Sequence, residues 1–247
     1  MPWIVLGECV TGTAHHTRSV PCQDAFRVRC LGPDGEWLVV AVADGAGTAA
    51  HADVGATLVC EELVRRVGPD RLEFLSTHEA MTALFTEVRA ALLAEAGQLG
   101  VSPRELACTA LLAVVGPTSA VVTQIGDGAI VLGDGGGQRV VFWPDPAEYA
   151  NATDFLSEER FADALRFEAV AGPVAELAVL TDGLQRLALD FAARTPHAPF
   201  FRPLFDQLRL APDPDALAEP FRGFLDSPQV NARTDDDKTL VLAVRRP

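Results

Sequence analysis

The chain has 247 residues, 49% of them hydrophobic and 22% charged, with a net charge of −14. That balance belongs to a globular protein and excludes a disordered one, and a domain of this length buries ~70% of its unfolded surface without staples. One lysine, Lys238, stands against 19 arginines, and an acidic chain without a basic cluster excludes nucleic acid as a partner, because phosphate neutralisation needs gathered Lys and Arg.

Trp3 to Val10 is apolar and rich in strand formers. Ala25 to Cys30 sets Phe26, Val28 and Cys30 against Arg27 and Arg29, the alternation of a half-buried strand, and the turn at Gly32-Pro33-Asp34-Gly35 joins it to Trp37–Ala43 as a hairpin. Two helices follow, over Ala52 to Val67 and Glu73 to Leu99, with Leu84, Val88 and Leu92 at helical spacing in the second. Cys108 to Val115, Ala120 to Ile125, Ala129 to Leu132 and Val140 to Trp143 are apolar runs separated by turn residues, and they predict an antiparallel meander. Gly133 to Gly137 is a hairpin turn, while Tyr149 to Phe167 is polar and irregular. Glu176 to Thr181 is a buried strand, the chain from Gly183 is helical, Phe200 to Leu210 and Asp213 to Leu225 are helices, and Thr239 to Val244 is a last strand. The order points to an α+β fold: two mostly antiparallel sheets packed face to face, with helices on both outer faces, as a single domain over residues 1–247.

The five cysteines make no Cys-x-x-Cys pair and are expected to be reduced thiols in a cytoplasmic protein. No signal peptide or membrane span is expected, because Asp, Glu or Arg interrupts every apolar stretch. Most of the acidic excess is read as serving solubility, and it also suits a chain that collects divalent cations.

The chemical signal is an aspartate at the end of an apolar strand, often followed by glycine: Ala43-Asp44-Gly45, Thr181-Asp182-Gly183, Gly126-Asp127-Gly128, and Asp235-Asp236-Asp237 just before the last strand. Such carboxylates are held rigidly yet face solvent, and hard cations such as Mg²⁺ or Mn²⁺ take oxygen ligands while keeping some water. Any one of these pieces is an ordinary turn; their order is more informative.

That order resembles the PP2C (PPM) family of Ser/Thr phosphatases, in its compact bacterial branch. The matching pieces are Pro21-Cys22-Gln23-Asp24-Ala25-Phe26, Ala43-Asp44-Gly45-Ala46-Gly47, Ala107-Cys108-Thr109-Ala110, Ile125-Gly126-Asp127-Gly128, Leu180-Thr181-Asp182-Gly183-Leu184 and Asp236-Asp237-Lys238-Thr239. The resemblance implies a four-layer αββα sandwich and hydrolysis of phosphoserine or phosphothreonine in proteins by a water activated between two Mg²⁺ or Mn²⁺ ions, without a phospho-enzyme. It implies Asp44, Asp182 and Asp236 as the catalytic set. Asp44 would bridge the metals with the carbonyl of Gly45 beside it, and Asp24 would act directly or through water. Asp127 would support a weaker third ion together with Asp182. Arg18 is the candidate for binding substrate phosphate. As partners, the resemblance suggests a phosphoprotein and, in stress systems, a bacterial Ser/Thr kinase or a von Willebrand A-type protein, with the chain a monomer and no membrane involved.

Three positions depart from the family pattern. Gln23 stands where Glu is frequent, Ala46 replaces a frequent His, and Arg18 lies six residues before Asp24 rather than five. His15 and His16 are read as loop residues. These departures keep open a catalytically weak, phosphatase-like binding module that recognises a phosphoprotein or kinase, and a phosphatase of small metabolites is a third reading. Haloacid-dehalogenase chemistry is excluded because Val42 stands two before Asp44, and a P-loop is excluded because the only lysine follows Asp237. The stretch Pro144 to Phe167 falls where relatives carry a flap beside the site; it is expected either to help select substrate or to be a plain surface loop with a short helix at Ser157 to Leu165.

Overall fold

A computed structural model describes residues 3–69, 72, 75–144 and 153–246. In chain order its first half comprises β1 (Trp3–Val10), α1 (Thr13–Arg18), β2 (Ala25–Leu31), β3 (Trp37–Ala43), α2 (Ala52–Arg66), α3 (His78–Leu99), β4 (Ala110–Val115), β5 (Ser119–Ile125), β6 (Ala129–Gly133) and β7 (Gln138–Val140). Then come α4 (Phe161–Ala164), β8 (Arg166–Ala171), β9 (Glu176–Leu180), α5 (Gln185–Ala188), β10 (Leu189–Asp190), β11 (Thr195–Pro196), α6 (Ala198–Leu210), α7 (Ala218–Leu225), α8 (Pro228–Asn231) and β12 (Lys238–Arg245). One sheet has the order β1-β12-β9-β6-β7 and the other β2-β3-β4-β5-β8, with every neighbouring pair antiparallel.

Strand periodicity sorts the core into layers. On β3, Val39, Ala41 and Ala43 face α2 and α3 together with Leu63, Leu84 and Val88, while Leu38, Val40 and Val42 face the other sheet and meet Val179, Val241 and Ala243. The far side of that second sheet, with Leu180, Leu240 and Leu242, packs on Phe201, Phe205 and Phe221 of α6 and α7. Each fully buried Leu or Phe side chain contributes ~1.5–3 kcal/mol relative to exposure. The layers are thus helices, sheet, sheet, helices. Central strands read as unbroken apolar runs because both of their faces are covered, whereas edge strand β2 keeps Arg29 exposed.

The expected meander is not formed. The β4–β5 hairpin stays in one sheet, but β6 crosses to the other, and the second neighbour of β5 is β8. Gly126 turns the corner at φ +95°, a left-handed conformation that favours glycine. The Gln124 amide fastens the corner by donating to the carbonyls of Gly126 at 3.0 Å and Gly128 at 2.7 Å. Strands apolar on both faces carry no mark of which sheet they join. Strand β7 begins earlier than the apolar run Val140 to Trp143, and the polar-looking segment ending at Phe167 leads into the unforeseen strand β8. The second helix starts at His78; Glu73 and Phe74 lie outside the described residues, as do 145–152 of the flap segment. A short helix does occur at Phe161–Ala164, and beyond Gly183 helix α5 spans only Gln185–Ala188. Among the described residues no helix is long and apolar enough to cross a membrane.

Candidate active site

Antiparallel pairing brings the two strand starts at β2 and β12 level with the ends of β3 and β9: Ala25 pairs with Ala43, and Leu240 with Leu180. Asp24 and Asp44 lie one residue beyond the first pair, Asp182 lies two beyond Leu180, and Asp236 lies two before the start of β12. They therefore emerge at one edge of the sandwich, and the β5–β6 crossover adds Asp127. A cavity of about 240 Å³ is lined there by Asp44, Gly45, Asp127, Asp182, Asp236 and Arg18. Asp24 lies beneath it, 8% exposed.

Each carboxylate has its own support. The backbone N–H of Asp44 donates to the Thr109 hydroxyl at 2.9 Å, and the N–H of Thr109 returns a bond to the Asp44 carbonyl at 2.8 Å. Asp24 Oδ2 accepts from the hydroxyls of Thr181 and Thr239, each at 2.8 Å. Asp127 Oδ2 accepts from Thr153 at 3.0 Å, and its carbonyl accepts from the Gln185 amide. Asp236 is exposed, and Oδ1 accepts from the N–H of Asp237 at 2.9 Å. Arg18, on α1, is exposed, with Nε donating to the Ala14 carbonyl at 3.2 Å. Gly183 is needed for packing: a Cβ there would collide with the Asp237 carbonyl oxygen.

The electrostatics are those of carboxylates crowded out of water. Burial pushes the Asp44 carboxyl well above the usual range, and the charges of Asp24, Asp182 and Asp236 push it further. Burial, then Asp127, raises Asp182 to about 6. Burial also lifts Asp24 strongly, and lifts Asp127 against the opposing hydrogen bond from Thr153. Asp44 and Asp182 share a hydrogen bond when one of them is protonated.

Several contributors were missed from sequence. His15 and His16 lie in helix α1, not a loop, and His15 is buried with Nδ1 2.8 Å from Asp237 Oδ2. Asp237, 3% exposed, also accepts from the N–H of Gly12 and of Gln23, each at 2.6 Å. It is a structural clasp beside Asp236. Lys238, fully buried, donates from Nζ to Asn231 Oδ1 at 2.9 Å and to the Asp236 carbonyl at 3.4 Å. No local pattern marks these roles, since all three depend on the docking of α1 and α8 against β12. Cys9 and Cys22, both free thiols, approach to 2.9 Å beside the Asp24 backbone.

The family model described as protein phosphatase 2C matches residues 11–222. Serine/threonine-protein phosphatase 3 of Escherichia coli (strain K12) is 37% identical over 255 residues, covering 99% of each chain. The chain belongs to the protein phosphatase 2C family. Solved structures share the fold at lower identity. The serine/threonine phosphatase Stp1 from Staphylococcus aureus superposes with a TM-score of 0.67 at 14% identity, over 100% of this chain and 96% of that one. PppA, described as a key regulatory component of T6SS in Pseudomonas aeruginosa, gives 0.65 at 18% identity, over 99% and 98%.

The protein phosphatase 2C family is metal-dependent. Among the described residues no three His, Cys, Asp or Glu side chains converge into a preformed cage. The donor set nevertheless fits hard cations, which take a few carboxylates and complete their shell with water. Six buried side-chain polar atoms among the described residues lack a hydrogen-bond partner, and three are acceptors at this edge: Asp24 Oδ1, Asp182 Oδ1 and Gln23 Oε1. A buried acceptor without a donor is costly, and a cation relieves it.

Proposed function

We propose that this chain hydrolyses phosphoserine and phosphothreonine in proteins, with Asp44, Asp182 and Asp236 as the metal-holding catalytic set. The observation that carries the reading is the gathering of these three, with Asp127, around one cavity, where burial and neighbouring carboxylates push Asp44, Asp182 and Asp127 toward protonation. Bound Mg²⁺ or Mn²⁺, two ions with a weaker third, supplies an activated water and neutralises charge on the phosphoryl oxygens. Asp44 with the Gly45 carbonyl, Asp182 and Asp236 would hold the two ions, and Asp127 with Asp182 would hold the weaker one. Asp24 is fixed by two threonine hydroxyls on Oδ2, and its unpartnered Oδ1 would serve the metals directly or through water. Arg18 lines the cavity and clamps the substrate phosphate through its guanidinium. Ala46 offers no proton donor, so the leaving oxygen takes its proton from water.

We also infer a single domain, because the proposed site draws on residues from Arg18 to Asp236. A reducing, cytoplasmic compartment is supported by the five free thiols; a monomer is proposed, with a bacterial Ser/Thr kinase or a von Willebrand A-type protein as the expected functional companion. The test is hydrolysis of p-nitrophenyl phosphate and a phosphothreonine peptide with chelator, then with Mn²⁺ or Mg²⁺. Activity should require metal and vanish in Asp44→Ala together with metal binding. Metal binding without turnover on either substrate would refute the phosphatase reading and return the chain to a binding module.

A further inference from the structure

From the aspartate edge a groove continues over α5 toward α6. Its first part, about 590 Å³, has Asp127, Asp182 and Asp236 at one end and Arg186, Phe191 and Arg233 at the other. Those last three residues also border a second depression of about 650 Å³, walled by Leu187, Phe200, Leu204 and Phe224. Arg186, Phe191 and Arg233 thus form a shared border, with carboxylates on one side and an aromatic floor on the other.

Phe191 and Phe224 are 40% and 37% exposed, two of the four large hydrophobic residues among the described residues left this open to water. Apolar surface of this kind beside a polar site marks an interaction face. The aromatic walls are held by packing: Phe191 lies edge-on to Trp143 at 5.5 Å, and Phe200 contacts Phe224 at 6.1 Å and the buried Phe201 at 5.0 Å. Arg27, Arg66, Arg139, Arg209 and Arg222 each hold a glutamate. Arg186 and Arg233, both exposed, have no carboxylate partner among the described residues. Oδ1 of the nearby Asp190 accepts from the N–H groups of Ala192 and Ala193, each at 3.0 Å.

We propose that this groove docks the polypeptide flanking the scissile phosphate, with an acidic residue against Arg186 and Arg233 and an aromatic or aliphatic side chain over Phe191, Phe200 and Phe224. The proposal rests on the phosphatase reading and adds the substrate class: phosphopeptides in which acidic and then apolar residues follow one another away from the phosphoresidue. Extended peptide advances ~3.3 Å per residue, so a few residues reach from the phosphate past the arginines to the aromatic floor. Small phosphate esters reach only the first end.

The test uses the full chain and two fluorescein-labelled phosphothreonine peptides, one with Glu then Leu and Phe beside the phosphothreonine, the other with Lys then Ser. The acidic-apolar peptide should give a kcat/KM about tenfold higher, through KM, and bind more tightly by anisotropy in chelator, with an affinity that falls as salt rises. Arg186→Glu with Arg233→Glu should erase or invert that preference, measured as the ratio to p-nitrophenyl phosphate turnover. Phe191→Ser with Phe224→Ser should erase the apolar part. Metal-dependent turnover of the small ester with equal kcat/KM and equal binding for both peptides overturns the docking proposal and leaves the phosphatase reading standing. If neither substrate is turned over, the phosphatase reading fails, and the anisotropy comparison still decides the groove. A change in sedimentation in the Phe191→Ser, Phe224→Ser variant, without a change in peptide preference, assigns the groove to a second copy of this chain and likewise overturns the proposal.

Discussion

Asp236 and Asp237 are neighbours in a run of three, yet their surroundings demand opposite consequences of the same substitution. Asp237 is buried and its two oxygens take bonds from Gly12 N–H at 2.6 Å, Gln23 N–H at 2.6 Å and His15 at 2.8 Å. In Asp237→Asn one oxygen becomes an amide donor facing donors. A lost charge-assisted bond of ~1.5–3 kcal/mol plus ~1–3 kcal/mol for the orphaned group totals about 2.5–6 kcal/mol of stability. At ~2–4 °C per kcal/mol for a domain of this size, Tm should fall by about 10 °C. Asp236 is exposed, and Asn keeps the Oδ1 that accepts from Asp237 N–H. Asp236→Asn should therefore stay within about 0.5 kcal/mol of the parent while losing metal affinity and turnover. Thermal denaturation in chelator gives the first quantity, and calorimetric Mn²⁺ titration with p-nitrophenyl phosphate turnover gives the second. A stable Asp237→Asn, or an Asp236→Asn that keeps parental metal affinity, refutes the division between clasp and ligand.

Three further outcomes follow from the same geometry. In chelator, stability should decline as pH rises from about 4 to about 6: the folded Asp182 pKa of about 6 exceeds the ordinary 3.8, so the folded state binds more protons in that window, at a total cost of about 3 kcal/mol once the group is ionised. Saturating Mn²⁺ should flatten that decline, and denaturant melts across the window measure both. Asp44→Asn should raise the Tm of the chelated protein, because it removes a charge repelled by Asp24, Asp182 and Asp236, and should abolish the rise in Tm that Mn²⁺ produces in the parent. Gly183→Ala should cost ~1–3 kcal/mol by overpacking, since its Cβ meets the Asp237 carbonyl; urea midpoints compare it with the tolerated Gly97→Ala, where no atom lies within 4 Å.

The sequence by itself determined the central strands, though not β8, and the aspartates at their ends. An apolar run closed by Asp-Gly is a local pattern, and burial on both faces requires it to be apolar throughout, as in Leu38–Val42 and Leu177–Leu180. The family motifs are likewise short and local, so Asp44, Asp127, Asp182 and Asp236 were legible before any pairing was known. The tertiary structure alone decided the partners. β12, the last strand, inserts between β1 and β9, and β6 leaves its hairpin neighbours for the other sheet; side-chain alternation specifies a face but not the strand alongside. It also decided how the acids of Asp235-Asp236-Asp237 are placed. Three identical side chains carry identical local signals, and only the docking of α1, with His15 and Gly12, buries Asp237 and leaves Asp236 at the cavity.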